Sequence, residues 1–158
     1  MCSSDLNLRD GLQHEIAAVI AARESIATLA AQHIDTIIPA YTHGVQAQPT
    51  TFAHYLHALG AALARETQRL REAYHRINLN PLGAAALATS SFPINRQRLQ
   101  ALLGFEGLLE NAYDANHLAP VDSALDVASA LAIAAVQIGQ FAQDMHTQYA
   151  DKIGRAHV

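Results

Sequence analysis

The sequence predicts an all-α fold in which long helices pack as a bundle. Apolar residues recur at alternating steps of three and four in three long segments, which is the periodicity of helices with a buried face. Apolar residues make up 51% of the 158 residues, and Ala is the commonest of them. This composition favours closely packed helices, because Ala has the highest helix propensity and a small side chain. No segment shows the alternating pattern of a strand, so we expect no β-sheet.

The first two helices are predicted from periodicity and from the residues at their ends. In the first segment the apolar positions, with Arg23 interrupting them, are Leu12, Ile16, Val19, Ile26 and Ala30. Pro39 must lie beyond this helix, because a proline ring cannot continue one. The second helix is expected from about Thr51 to Ile77, a length of about 40 Å. Thr50 or Thr51 is its expected N-cap, since a hydroxyl there can accept a bond from an unpaired backbone N–H.

The third long helix is expected from about Val121 to Tyr149, with Pro120 at its start. Its middle is apolar nearly all the way round, so it needs neighbours on every side. Three helices of this length exceed what a compact domain of this size usually contains, and we therefore expect an oligomer whose chains complete one bundle. Before this helix, Asn95 is the expected cap of a short helix that ends at Gly104.

Composition and charge also argue against several classes of binding partner. The formal net charge is −4, so no basic field favours nucleic acid or an anionic membrane. No uninterrupted apolar run reaches about 18 residues, and no signal peptide precedes the first helix, so we expect a cytoplasmic protein that crosses no membrane. A single Cys excludes an intrachain disulfide. His54 and His57 lack a third ligand, so no metal site is expected.

The two ends of the chain are unlike the rest of it. Residues 1–6 and 152–158 resemble the two strands of a translated sequencing adaptor. This resemblance predicts that residues 7–151 are a fragment of a natural protein, whose other motifs lie beyond the present ends.

The segment from Pro39 to Pro49 concentrates Thr, His and Gln between two prolines. Hydroxyl and amide donors can hold a carboxylate beside an imidazole, and a His with an ordinary pKa of about 6.5 can transfer protons at neutral pH. The segment is therefore a candidate substrate loop. Taken alone, the pattern also fits a His whose ring is bonded to a loop carbonyl.

Several other motifs, taken in their order along the chain, help to interpret this segment. The sequence Tyr41-Thr42-His43 with Ala47-Gln48-Pro49 resembles a signature region of argininosuccinate lyases, members of the fumarase/aspartase superfamily. Further motifs follow at matching spacing, and they are Asn80-Pro81-Leu82-Gly83, Phe92-Pro93-Ile94-Asn95-Arg96, Leu103-Gly104-Phe105 and Glu110-Asn111-Ala112-Tyr113-Asp114-Ala115. The resemblance covers roughly Leu8 to Ala150.

The resemblance implies that residues 7–151 belong to the central helical domain of a lyase, with long helices in the bundle of a homotetramer. Each active site would be shared between chains and would act on a small molecule without a cofactor, splitting argininosuccinate into arginine and fumarate. Thr42 would bind a substrate carboxylate, His43 would be catalytic in proton transfer to the leaving group, and Gln48 would help to bind substrate. The fragment alone is expected to be inactive, because the family's catalytic Ser loop is not in it.

Three departures from the family pattern leave alternatives open. Val45 stands where the family has an amide, Asn95 where it has Asp, and Asn116 to Pro120 replace a stretch that carries an Arg. Loss of that guanidinium removes a bidentate carboxylate partner or an ion pair. The alternatives are a paralogous carbon–nitrogen lyase that releases fumarate from another N-succinyl amine, and a non-catalytic structural protein on the same scaffold.

Overall fold

The structure, a computed structural model, describes residues 2–150 and the side chains of residues 6–149. Its helices and strands, in chain order, are α1 (Cys2–Gln32), β1 (Ile37–Thr42), β2 (Val45–Thr51), α2 (Phe52–Ile77), β3 (Leu79–Asn80), α3 (Arg96–Leu103), β4 (Gly107–Leu108), α4 (Ala112–His117) and α5 (Ala119–Ala150). The predicted all-α class is confirmed, since strands are confined to one hairpin and one two-residue pair. Of the expected adaptor ends, residues 2–6 lie in α1, whereas Met1 and residues 152–158 lie outside the described residues.

The chain divides into two compact units, and each long helix contributes to both. The first unit comprises Gln68–Leu131 with the N-terminal residues up to Ala17. Its core is apolar, and it includes Leu12, Leu70, Ala73, Ile77, Ala84, Phe105, Ala112, Ala115, Val127 and Ala130. The second unit comprises Ala18–Thr67 and the chain from Ala132, with Val19, Leu56, Ala62, Leu63 and Ala134 buried.

The helix ends follow the capping rules from which they were predicted. The side chain of Thr51 accepts a bond from the backbone N–H of His54 at 3.2 Å, and that of Asn95 accepts one from Arg98 at 2.8 Å. Gly104 ends α3 in the left-handed conformation at φ 68°, where a residue without Cβ is favoured. The sequence analysis did not predict α4, which begins with Asn111 accepting bonds from two backbone N–H groups.

The expectation of no β-sheet was wrong. β1 and β2 form an antiparallel hairpin, and β3 pairs in parallel with β4 over two residues. Pro39 and Pro49 lie opposite each other in the hairpin, and each lacks the N–H that a central strand would need. A two-stranded ribbon tolerates them, because each strand has a free edge. Neither face of the hairpin is buried, so the alternation of apolar and polar residues that identifies strands is missing from the sequence.

α5 is long and apolar enough to cross a bilayer, by length and composition alone, and it is the one such helix among the described residues. Pro120 lies in its first turn, where a missing N–H costs nothing. Seven of its large apolar side chains are exposed, and they are Val121, Leu125, Ile133, Val136, Ile138, Met145 and Tyr149. This exposure agrees with the predicted need for neighbours that the chain itself does not supply.

Candidate active site

The predicted substrate loop forms the tip of the β1–β2 hairpin. Thr42 pairs with Val45, so His43 and Gly44 alone form the loop between the strands. Both loop residues have positive φ, 51° and 74°, as a type I′ turn requires. Gly adopts this conformation without strain, and His is among the few other residues found there more often than average. A Cβ on Gly44 would meet nothing within 4 Å, so the turn needs Gly for its backbone and not for space.

The register of the hairpin places the three predicted site residues near one another. Side chains alternate between the two faces, so Thr42 shares a face with Val45 and with the Ala40–Gln48 pair. Ala47 is the extra residue of a bulge between this pair and the next. Thr42 and Gln48 therefore lie on one face, with His43 on the turn beyond them.

The side chains of these three residues are available to a ligand. Thr42, His43 and Gln48 are exposed, and among residues 2–150 none is hydrogen-bonded to their side chains. The alternative interpretation, in which a loop carbonyl holds the ring of His43, therefore has no counterpart in the described residues. On the other face, Gln46 Nε2 donates to the hydroxyl of Tyr41 at 3.3 Å. The tip of the hairpin therefore exposes a hydroxyl, an imidazole and an amide near one another.

The base of the hairpin is fixed at the junction of α1 and α2. The backbone N–H of Phe52 donates to the carbonyl of Thr36 at 2.8 Å, and that of Ala53 donates to the carbonyl of His33 at 3.3 Å. His33 Nδ1 lies 3.1 Å from the hydroxyl of Thr36. Its ring meets the ring of Phe52 edge to face, with centroids 5.2 Å apart. These contacts determine where the hairpin leaves the helices.

A row of aromatic rings extends from that base to α5. The ring of Phe52 stacks on Tyr55, and Tyr55 stacks on Phe141, with centroids 6.2 and 5.8 Å apart. The hydroxyl of Tyr55 donates to Asp144 Oδ2 at 2.5 Å. Burial, then the hydrogen bond to Asp144 and the charge of that carboxylate, raise the pKa of Tyr55 above its usual range. The sequence analysis identified neither Tyr55 nor Asp144.

The other motifs of the family resemblance meet in the first unit, in what we call the Arg96 cluster (Asn80, Leu82, Arg96, Leu109 and Glu110). The guanidinium of Arg96 donates to three backbone carbonyls, those of Leu82 at 3.0 Å, Glu110 at 3.0 Å and Leu109 at 2.6 Å. Asn80 is fully buried and donates from Nδ2 to the carbonyl of Arg96 at 3.2 Å, while its Oδ1 accepts from the N–H of Leu82 at 3.0 Å. The cluster holds three chain segments together.

Gly83 lies directly beside the Arg96 cluster. Its φ is +77°, and a Cβ there would come within 2.9 Å of Arg96 Cγ and 3.0 Å of Ile94 Cγ2. The resemblance identified these motifs without indicating what they do. In the structure they are packing and hydrogen-bonding residues, and none belongs to the hairpin.

Two further predictions concern residues outside the hairpin. Asn116, one of the departures from the family pattern, donates to the carbonyl of Ala112 at 2.8 Å and so stabilises α4. His54 and His57 are exposed on α2, and the described part of the chain contains no group of three or more His, Cys, Asp or Glu that could hold a metal.

Comparison with known proteins agrees with the motifs. A family model described as lyase matches residues 5–154. The chain is 42% identical over 140 residues to the argininosuccinate lyase of Methanosarcina acetivorans and 43% identical over 138 residues to that of Natronomonas pharaonis. These matches cover 89% and 87% of this chain, but the chain spans only 28% of the length of each relative.

Solved structures extend the comparison to the fold. EDDS lyase in complex with formate is 40% identical, with a TM-score of 0.89 over 94% of this chain and 29% of that chain. Fumarate lyase from Mesorhizobium sp. BNC1 has the same fold at 23% identity, with a TM-score of 0.81 over 96% of this chain and 36% of that chain. Since the family model matches nearly the whole sequence, the chain belongs to the lyase family, as its resemblance to argininosuccinate lyases of the fumarase/aspartase superfamily predicted.

Proposed function

We propose that this chain is a segment of a carbon–nitrogen lyase that splits argininosuccinate into arginine and fumarate. The observation that carries the proposal is the exposed hairpin tip, with Thr42, His43 and Gln48 available to a ligand, in a chain similar to argininosuccinate lyases. A loop with these three groups suits a substrate that carries carboxylates and a nitrogen leaving group.

The proposed reaction is an elimination. A base from another part of the assembly removes a proton from the carbon beside a carboxylate, and the carbon–nitrogen bond on the adjacent carbon breaks as the double bond of fumarate forms. Negative charge develops on the carboxylate before the bond breaks, so donors already in position stabilise it. Thr42 donates its hydroxyl to a substrate carboxylate, and the protonated ring of His43 gives a proton to the departing nitrogen. Gln48 borders the site on the same face as Thr42.

The proposed active form is a cytoplasmic homotetramer with active sites shared between chains. The seven exposed apolar side chains of α5 support this, because a helix of a soluble monomer usually has one polar face. This chain by itself should be inactive, since the Ser loop that the family resemblance implies is not among its motifs. Sedimentation analysis of the complete protein should give a tetramer, and a stable active monomer would contradict the proposal.

A second candidate is a paralogous lyase that releases fumarate from another N-succinyl amine. Two observations favour it: the chain is as similar to EDDS lyase as to argininosuccinate lyases, and Val45 places an exposed apolar side chain on the face of Thr42. A non-catalytic protein on the same scaffold is a third candidate, which the assay below distinguishes from the two lyases.

The test is fumarate release from argininosuccinate, followed by the ultraviolet absorbance of the product. It should use the complete protein and, in parallel, a chimera in which this segment replaces the matched region of the Methanosarcina acetivorans enzyme. Release by both proteins would support the proposal. A folded tetramer that releases fumarate only from other N-succinyl amines would favour the paralogue, and one that releases none from any of them would favour the scaffold.

A further inference from the structure

Val45 is the one large apolar side chain next to the loop of the hairpin. It is 66% exposed and is the direct partner of Thr42 in the last strand pair before the turn. Side chains opposite each other in an antiparallel pair have Cβ atoms about 5 Å apart and lie on the same face. A substrate carboxylate held by Thr42 would therefore bring the atoms attached to it within reach of the two methyl groups of Val45.

The residues around Val45 leave its methyl groups uncovered. The space beside Gly44 is open, with nothing within 4 Å of the position of a Cβ. The neighbouring polar pair, Tyr41 and Gln46, is bonded to itself on the opposite face. Val45 consequently adds an apolar surface beside the hydroxyl of Thr42, at the strand pair that adjoins the turn carrying His43.

We propose that Val45 determines which amine this lyase releases. In the proposed reaction the leaving nitrogen is close to the carboxylate held by Thr42 and faces His43, so the first atoms of the amine lie against Val45. Methyl groups favour aliphatic carbon there and cannot bond a guanidinium, whose N–H groups would lose water without gaining an acceptor. Val45 therefore shifts the preference of the site from argininosuccinate toward aspartates whose nitrogen carries an alkyl chain. This inference rests on the second candidate function, a lyase that releases fumarate from another N-succinyl amine.

The experiment compares two substrates and two variants in the complete protein. The substrates are argininosuccinate and N-butylaspartate, and the readout is kcat/KM for fumarate release from each. V45T keeps the shape and the β-branching of the side chain but replaces a methyl with a hydroxyl. Q46T is the matched control, because it introduces the same residue, Thr, at the next position of the same strand, on the opposite face.

V45T should lower the ratio of kcat/KM for N-butylaspartate to kcat/KM for argininosuccinate by about 10-fold, because a small apolar contact typically contributes that much to selectivity. The change should arise mainly in KM. Q46T should leave the ratio unchanged. A distorted hairpin would lower both values together and leave the ratio as it was. An unchanged ratio in V45T, or an equal change in Q46T, would overturn the inference while fumarate release still supported the lyase. No fumarate from either substrate with the unsubstituted protein would overturn both.

Discussion

The hairpin and the Arg96 cluster both contain motifs of the family resemblance, yet they use their polar groups in opposite ways. In the Arg96 cluster, one guanidinium donates hydrogen bonds to three backbone carbonyls. The side-chain amide of the fully buried Asn80 donates through its nitrogen and accepts through its oxygen. In the hairpin, the described residues supply no hydrogen-bond partner to the side chains of Thr42, His43 and Gln48. The first region uses its polar groups for folding, and the second leaves them exposed, without a partner among the described residues.

This difference shows how residues of a shared motif can be separated into structural and functional ones. A buried polar group is stable only with a partner inside the protein, because leaving it unpaired costs the free energy of desolvation. An exposed polar group on a fixed backbone carries no such requirement, and a ligand can bond it. The comparison predicts that substitutions in the Arg96 cluster change stability, whereas those in the hairpin change activity.

The largest effect is expected for R96A. Removing the guanidinium leaves three carbonyls without a donor from the protein, and hydrogen bonds from a charged group are the stronger ones. We expect the free energy of unfolding to fall by about 3 kcal/mol. The control is R98A, which removes an exposed guanidinium from the same helix and should cost at most about 0.5 kcal/mol. Chemical denaturation of the complete protein measures both, and equal small effects would contradict a structural role of the cluster.

H43N tests the prediction that substitutions in the hairpin change activity and not stability. Asn tolerates the positive φ of this turn position, so the hairpin should keep its shape while the ring that transfers the proton is lost. We expect turnover to fall by about 100-fold or more, with the thermal midpoint unchanged. Fumarate release and thermal unfolding are the two measurements. Unchanged turnover would leave His43 without a part in catalysis, and a large loss of stability would show that the ring packs in the assembled protein.

Replacing Gly83 and Gly44 with alanine, one at a time, compares the Arg96 cluster with the hairpin at equal backbone strain. Gly83 and Gly44 have nearly the same φ, +77° and +74°, so a Cβ strains both backbones by about 1–2 kcal/mol. Only at Gly83 does the Cβ also collide with other side chains, which adds about 1–3 kcal/mol. G83A should therefore destabilise the protein more than G44A, by the size of this steric contribution. Equal losses in urea denaturation would mean that the residues around Arg96 move aside without cost.

The parts of the fold that could be predicted from sequence are those that local chemistry determines. Thr51, Asn95 and Gly104 end their helices as the capping rules require, because the groups involved lie within four residues of one another. The long helices were likewise predicted from periodicity. The apolar surface of α5 also indicated correctly that this chain does not cover the helix.

What could not be predicted depends on partners far apart in the chain or on a missing pattern. Arg96 bonds residues 13 and 14 positions away, and no local rule connects them. Tyr55 and Asp144 are separated by 89 residues. The hairpin was missed because its turn has His before Gly, where Asn or Asp is the usual signal, and because its strands lack an alternating pattern and contain two prolines, which are unusual in strands. The candidate site residues on it were predicted from the resemblance and not from geometry.

The smallest effect is expected at the base of the hairpin, where Y55F removes the hydroxyl that bonds Asp144 and keeps the stacked ring. Asp144 retains a bond from Gln148, so we expect a loss of only about 1 kcal/mol at neutral pH.

The loss in Y55F should also depend on pH. Burial and Asp144 raise the pKa of Tyr55 in the folded state, so the hydroxyl contributes its full stability below the unfolded pKa of about 10 and loses it as pH rises further. The difference between wild type and Y55F should therefore shrink in urea denaturation above about pH 10. A difference that is constant with pH would show that Asp144 does not stabilise the neutral phenol. Tyr55 would then stabilise the row of aromatic rings through its stacking contacts alone.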